Sequence, residues 1–203
     1  MKKAKILVAC EYSGRVRDAF NNAGHDAISV DLLPTESPGP HHQGDIKEFL
    51  TQTNEKFDLM IAHPPCTYLA NSGVSWLHRQ EGREALMVEG AEFFRFFLEY
   101  DEIPHIAVEN PVMHKYAVSI IGRKHDATIQ PWQFGEDASK RTCLWLKNLP
   151  PLQPTDIIKK ERYANQTPGG QNKLGPSPDR WKLRSATYQG IADAMATQWG
   201  SLL

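Results

Sequence analysis

A cysteine follows two prolines in the stretch IAHPPCTYL, from Ile61 to Leu69. An apolar run, FDLMIA (57–62), leads into it, so Cys66 is expected where a strand ends. Proline there stops further strand pairing and fixes the direction of the chain. A thiol on such a rigid corner has three readings: a nucleophile, a metal ligand or a structural side chain. A second corner, HIAVENP (105–111), ends another apolar run on Glu109 and Asn110 just before Pro111. That glutamate either takes part in chemistry or caps the helix after it. Near the N-terminus, EYSGRVRDAF follows a first apolar run and places Gly14 at a strand-to-helix turn, where backbone could approach a ligand. Its glycine pattern departs from GxGxxG, because Val16 stands where a second glycine is expected. About twenty residues on, Asp31 closes the next run, a position where an acid binds ribose hydroxyls of a nucleoside cofactor.

The elements that must position these groups alternate through the first half of the chain. AKILVAC (4–10), HDAISVD (25–31), FDLMIA and HIAVEN (105–110) read as strands. Helices are expected over SGRVRDAFNNAG, from near Asp45 in GDIKEFLTQ, over EGREALMVEGAEFFRFFLEY, and over the final TYQGIADAMATQWG. ATIQPWQF and RTCLWL are expected to form an antiparallel hairpin. This alternation predicts an α/β fold with a mainly parallel sheet, a late antiparallel hairpin and helices on both faces. Sites in such folds lie beyond the carboxyl ends of the strands. Glu11, Asp31, Asp45, His63 to Cys66, and Glu109 with Asn110 therefore crowd one edge. His63 is expected there as a strand-end residue with a satisfied ring.

The 203 residues fit one domain with a substantial core, and 40% of them are hydrophobic. No apolar run reaches the length of a membrane span. MKKAKILVAC opens like a signal peptide, but Glu11 interrupts its short apolar stretch, so a buried first strand is expected. Cys10, Cys66 and Cys143 are too few and too scattered for a disulfide framework. With no CxxC or HxxxH spacing, no metal site is expected, and a reducing cytoplasm is the default compartment. Cys10 and Cys143 lie in apolar strands and read as inert core thiols. A formal net charge of −1 speaks neither for nor against nucleic acid. Locally the balance changes. Residues 159–184 carry seven Lys/Arg against Glu161 and Asp179, inside a Pro/Gly-rich stretch spanning about 150–185. That stretch reads as a long, mobile basic loop suited to phosphate, in which Trp181 either stacks on a base or packs the loop down.

The corners at Pro65–Cys66 and Glu109–Asn110, in that order on successive strands, resemble the DNA cytosine-5 methyltransferases, in particular the short members associated with bacteriophages and prophages. The resemblance covers most of residues 4–147 and the final helix. It implies a Rossmann-like class I methyltransferase sheet and S-adenosyl-L-methionine as cofactor. It implies Cys66 as nucleophile, with Glu109 holding the target base and carrying a raised pKa. The Tyr12–Ser13–Gly14 turn, with Glu11 beside it, resembles the family's first cofactor motif. Asp31 and Asp45 resemble the acids that hold ribose and adenine, although Asp45 could equally be the N-cap of its helix. Pro65 and Gly190 fall at further cofactor positions, Ile191 replacing the usual asparagine. Lys140–Arg141 loosely matches an arginine-rich motif, which implies Arg141 in catalysis and Lys140 on nucleic acid. Arg180, Lys182 and Arg184 are expected to contact DNA, double- or single-stranded, in a bacterial host's cytoplasm.

Two departures matter. Family members that read a DNA sequence insert a recognition domain before the last motif, and here only the basic loop occupies that place. Specificity is then short, absent or supplied by a protein partner. HPPC also shares its prolines with the amine-methylating enzymes but lacks their short polar residue and aromatic, which favours carbon methylation. Rival readings are a non-catalytic nucleic-acid-binding relative and an enzyme acting on free pyrimidine nucleotides. A nicotinamide oxidoreductase is disfavoured by the missing dinucleotide fingerprint.

Overall fold

The computed structural model describes residues 3–203. Seven strands form one sheet: β1 (Lys5–Ala9), β2 (Asp26–Asp31), β3 (His41–Gln43), β4 (Leu59–Ala62), β5 (His105–Pro111), β6 (Ala127–Ile129) and β7 (Thr142–Lys147). Their order is β3-β2-β1-β4-β5-β7-β6. The first five run parallel, and β7 pairs antiparallel with both β5 and β6. This is the mixed α/β architecture expected, with the strand order reversing between β1 and β4, where ligands of such sheets bind.

Side-chain alternation in β1 divides the core into two layers. Ile6 and Val8 face the layer built with α1 (Arg15–Asn22) and α6 (Gln189–Gly200). Leu7 and Ala9 face the layer built with α2 (Ile46–Gln52), α3 (Arg83–Leu98) and α4 (Lys115–Ile121). Trp199 of α6 is fully buried and donates its indole N–H to the Pro150 carbonyl at 2.9 Å, which fixes where the long late segment starts.

Elements differ from the expectations in several places, three of which bear on the site. The hairpin strand β6 stops at Ile129, because Pro131 opens a 3-10 turn over Pro131–Gln133 instead of continuing to Phe134. Helix α4 was not expected; His114 caps it, its Nδ1 accepting from the Ala117 amide at 3.2 Å, and Gly122 ends it at φ 81°. Residues 150–185 form a strap with its own contacts rather than a bare loop. Ile158 N–H donates to the Trp132 carbonyl at 2.8 Å, and the Trp132 and Tyr163 rings stack. Asn165 brackets Ser139, accepting from its amide and donating to its carbonyl. The strap then returns as a short helix, α5 (Arg180–Ser185), and crosses the carboxyl edge of the sheet. Among the described residues no helix is long and apolar enough to cross a membrane.

Candidate active site

The carboxyl ends of β1, β4 and β5 meet around one cavity of about 90 Å³. Cys10 to Ser13 line it from β1, His63 to Cys66 from β4, and Glu109 to Pro111 from β5. The antiparallel return of β7 pairs Thr142 with Pro111, so Lys140 arrives at the same edge although it precedes its strand. Arg184 to Thr187, at the end of α5 and just beyond it, close the remaining side.

The HPPC corner is held rigidly. Asn110 donates from Nδ2 to the Pro64 carbonyl at 3.0 Å, tying the corner to the neighbouring strand. Beyond it, Leu69 and Ala70 amides both donate to the Cys66 carbonyl, making a turn that leaves the thiol half-buried beside the cavity. Burial pushes the Cys66 thiol up from its ordinary value, and the Glu109 carboxylate adds to this; Lys140 and Arg184 oppose them. The resting group is therefore a thiol that needs a base.

Glu109 is buried, its side chain 9% exposed. Its Oε2 lies 3.0 Å from Nδ1 of His63, whose side chain is equally buried. Burial pushes the Glu109 carboxyl up, but the charge of Lys140 and the His63 hydrogen bond outweigh it. Together they hold the group below the ordinary carboxylate value. The raised value expected from the sequence is thus corrected: a buried acid with a cation and a donor beside it stays ionised. His63 corrects a second expectation. Its ring is not satisfied, since Nε2 is buried without a hydrogen-bond partner among the described residues, as is Oδ1 of Asn110.

The turn after β1 is built around Glu11, which is 4% exposed. Its Oε1 accepts from the Val16 amide at 2.7 Å and its Oε2 from the Arg17 amide at 3.2 Å. Glu11 thus lines the cavity while also satisfying the otherwise unpaired amides at the start of α1. Gly14 enters the helix at φ 76°, and a Cβ there would overlap the buried Arg17 guanidinium. Ser13 donates to Glu11 at 3.2 Å. Cys10, expected to be inert core, instead lines the cavity at φ 57°. Burial pushes its thiol far up, with Asp31 and Asp45 adding to the effect, so it is an unreactive wall.

Tyr12 links this turn to the strap, a contact between residues far apart in sequence. Its hydroxyl lies 2.6 Å from the Lys182 carbonyl, to which it donates, and 2.9 Å from Ser185 Oγ. Lys182 pairs with Glu36 at 2.7 Å and sits over the Tyr12 ring, while Arg15 donates to the Thr187 carbonyl. Trp181 tilts against Tyr12 yet stays 55% exposed, so it both packs the strap and presents a face to solvent.

The other expected residues sit as follows. Asp31 is half-buried at the end of β2, one carboxylate oxygen accepting from Leu33 N–H at 2.9 Å; burial pushes its pKa up. Asp45 caps α2, accepting from Lys47 and Glu48 amides. Gly190 packs so tightly that a Cβ would overlap the Phe134 carbonyl oxygen, and its amide donates to Glu136. Arg141 is exposed and outside the cavity lining, whereas Lys140 belongs to it. Arg180 is half-buried at the start of α5, also outside the lining. Reading the sequence missed the Tyr12 contacts and His63's bond to Glu109. The second had a signal: Ala62 pairs with Val108, so the next residues of the two strands are neighbours.

No protein-family model matches the chain, and no curated protein matches it. Among solved structures the chain is similar to a protein described as a DNA modification methyltransferase encoded within an Escherichia coli prophage. The two are 14% identical, with a TM-score of 0.47, over 77% of this chain and 52% of that one. It is similar to an Entamoeba histolytica methyltransferase at 14% identity and a TM-score of 0.47, over 80% and 58% of the two chains. A third is the Spodoptera frugiperda DNMT2, 15% identical with a TM-score of 0.38, over 78% and 55%. The chain spans a little over half the length of each of these structures.

Proposed function

We propose that the chain is an S-adenosyl-L-methionine-dependent methyltransferase that modifies C5 of cytosine in DNA through a covalent Cys66 adduct. The carrying observation is the meeting of a half-buried thiol, a buried ionised glutamate and a lysine on one cavity at the sheet's switch point. Cytosine C5 is a weak nucleophile, and thiolate addition to C6 turns it into an enamine carbon. Glu109 is the base available to the Cys66 thiol. In this reading the proton leaves sulfur for Glu109 and passes to ring N3 as the S–C6 bond forms. The C5=C6 electron pair shifts to C4–C5, and the C4=N3 pair becomes the N3–H bond. Lys140 favours the negative charge that Glu109 carries before and after this transfer. Once C5 is methylated, a water takes the C5 proton, the C5–H pair reforms C5=C6 as the S–C6 pair leaves on Cys66, and N3 returns its proton to Glu109, which restores the ring.

The residues fit the cofactor's donors and charge. Asp31 keeps one oxygen beyond its Leu33 bond to accept from a ribose hydroxyl, and Tyr12, Ser13 and Pro65 line the cavity with Cys66. S-adenosyl-L-methionine supplies the electrophilic methyl group. Asp45 and Gly190 support this pocket through α2 and α6, and the cation assigned to the reaction is Lys140 rather than the exposed Arg141. Arg184 at the cavity and the exposed face of Trp181 suit a DNA strand, with Arg180 and Lys182 extending the basic surface. We assign the work to the cytoplasm of a bacterial host, with sequence specificity short or supplied by a protein partner.

The test uses methyl-labelled cofactor with single- and double-stranded oligonucleotides, and with dCMP as a separate arm. Label recovered as 5-methylcytosine from DNA is the expected result. Label on dCMP alone supports a nucleotide enzyme, and DNA binding without cofactor affinity supports a non-catalytic relative. Either outcome overturns the proposal.

A further inference from the structure

His63 is the least expected member of the site, and its two ring nitrogens are treated differently. Nδ1 lies 3.0 Å from Oε2 of Glu109, while Nε2 is buried with no partner among the described residues. Glu109 is ionised, so it only accepts, and Nδ1 must carry the hydrogen. That fixes the tautomer: in the neutral ring Nε2 is a bare lone pair. The same bond immobilises one carboxylate oxygen. No donor among the described residues bonds Oε1, which leaves that oxygen for a ligand.

We propose that His63 is a positioning residue: its Nδ1–H holds Glu109 by Oε2 so that Oε1 is presented to the Cys66 proton and the pyrimidine edge. The inference rests on the cytosine reading above and adds the residue that orients its acid. It also explains the corner's composition. A histidine directly before Pro64 is locked in direction by the proline and by the Asn110 bond to the Pro64 carbonyl. The pairing of Ala62 with Val108 then puts the imidazole beside Glu109. With Oε2 occupied, the carboxylate cannot rotate to offer either oxygen at random. The proton taken from sulfur therefore resides on Oε1, the oxygen that can pass it to N3, while Nδ1–H stabilises the carboxylate left behind. The titratable and charged groups lining the cavity around the pair are Cys10, Glu11, Cys66, Lys140 and Arg184, with Asp31 close enough to feel His63 and Cys143 to feel Glu109.

Three substitutions separate the roles. Asparagine places an amide N–H near the position of Nδ1, glutamine places one near Nε2, and alanine removes both. The readout is the rate of covalent adduct formation with an oligonucleotide containing 5-fluorocytosine, measured across pH with cofactor present. His63→Ala and His63→Gln are expected to slow it about ten- to a hundred-fold, the worth of a hydrogen bond to a charged group. Their acid limb should also move to higher pH, because Glu109 loses a donor that holds its proton off. His63→Asn is expected to stay within about threefold of the native rate. An alanine variant with native rate and unshifted acid limb overturns the inference while leaving the cytosine reading standing. Native protein that forms no adduct overturns the cytosine reading itself. Nitrogen-15 NMR of the His63 ring then decides the positioning separately. A hydrogen on Nδ1 supports it; a hydrogen on Nε2 alone overturns it.

Discussion

Replacing Tyr12 with phenylalanine isolates the bond that fastens the basic strap over the cavity. The ring that meets Trp181 and lies under Lys182 is kept, and only the hydroxyl shared by the Lys182 carbonyl and Ser185 Oγ is lost. A neutral hydrogen bond contributes about 1 kcal/mol net, and two hydroxyl hydrogens serve the three contacts among Tyr12, Ser185 and the Lys182 carbonyl, so the Tyr12 hydroxyl adds one bond of its own. Ser185 Oγ also donates to the Lys182 carbonyl at 2.9 Å, so that acceptor keeps a partner after the change. The expected loss is therefore about 1–1.5 kcal/mol, or roughly a 5- to 15-fold rise in the population with α5 detached. Hydrogen exchange of peptides covering residues 176–188 reads this directly. The Leu183 amide, which donates to the Asp179 carbonyl, is the reporter inside the helix. Breaking the Lys182–Glu36 pair by Glu36→Gln should change exchange by less than about fivefold, because exposed ion pairs contribute little. Unchanged exchange in Tyr12→Phe, or a larger effect from Glu36→Gln, refutes the claim that Tyr12 latches the strap.

Further outcomes follow from the same structure. Glu109→Gln removes a charge that raises the Cys66 thiol, so alkylation of Cys66 should shift to lower pH while Cys10 stays unreactive; an unshifted profile contradicts the placement of that charge. Gly190→Ala forces a Cβ onto the Phe134 carbonyl and should lower stability by about 1–3 kcal/mol, the cost of overpacking, read from the urea midpoint. Burial holds the His25 ring below its ordinary pKa, so below about pH 6.5 the unfolded chain binds the proton more readily than the folded one. Stability should therefore fall as pH drops through that region, and His25→Asn should flatten the dependence in denaturation curves taken between pH 5 and 7.

The strand ends carrying Cys66 and Glu109 were legible because proline punctuates both apolar runs and because the parallel sheet sends such ends to one edge. Charge states were not legible. Glu109 reads in sequence as a buried acid with a raised pKa, and its two compensating partners reach it only through tertiary pairing. His63 arrives by the β4–β5 register and Lys140 by the antiparallel return of β7. Glu11 and Gly190 carry scaffold contacts that their sequence positions do not announce, Glu11 bonding the first amides of α1 and Gly190 packing on the Phe134 carbonyl. The latch between Tyr12 and α5 spans 170 residues, and no local pattern encodes a contact that distant. Helix α4 went unread because it is short, with a histidine in the cap position where serine, threonine, asparagine or aspartate is the usual signal.

The central claim is that Cys66 bonds to a cytosine. An oligonucleotide carrying 5-fluorocytosine, incubated with the protein and S-adenosyl-L-methionine, should yield a complex that survives denaturation. Digestion and mass spectrometry should then place the modified base on the peptide containing Cys66, and Cys66→Ser should abolish it. A stable complex mapped to Cys10 or Cys143, or no complex under conditions where the protein binds both DNA and cofactor, contradicts the account.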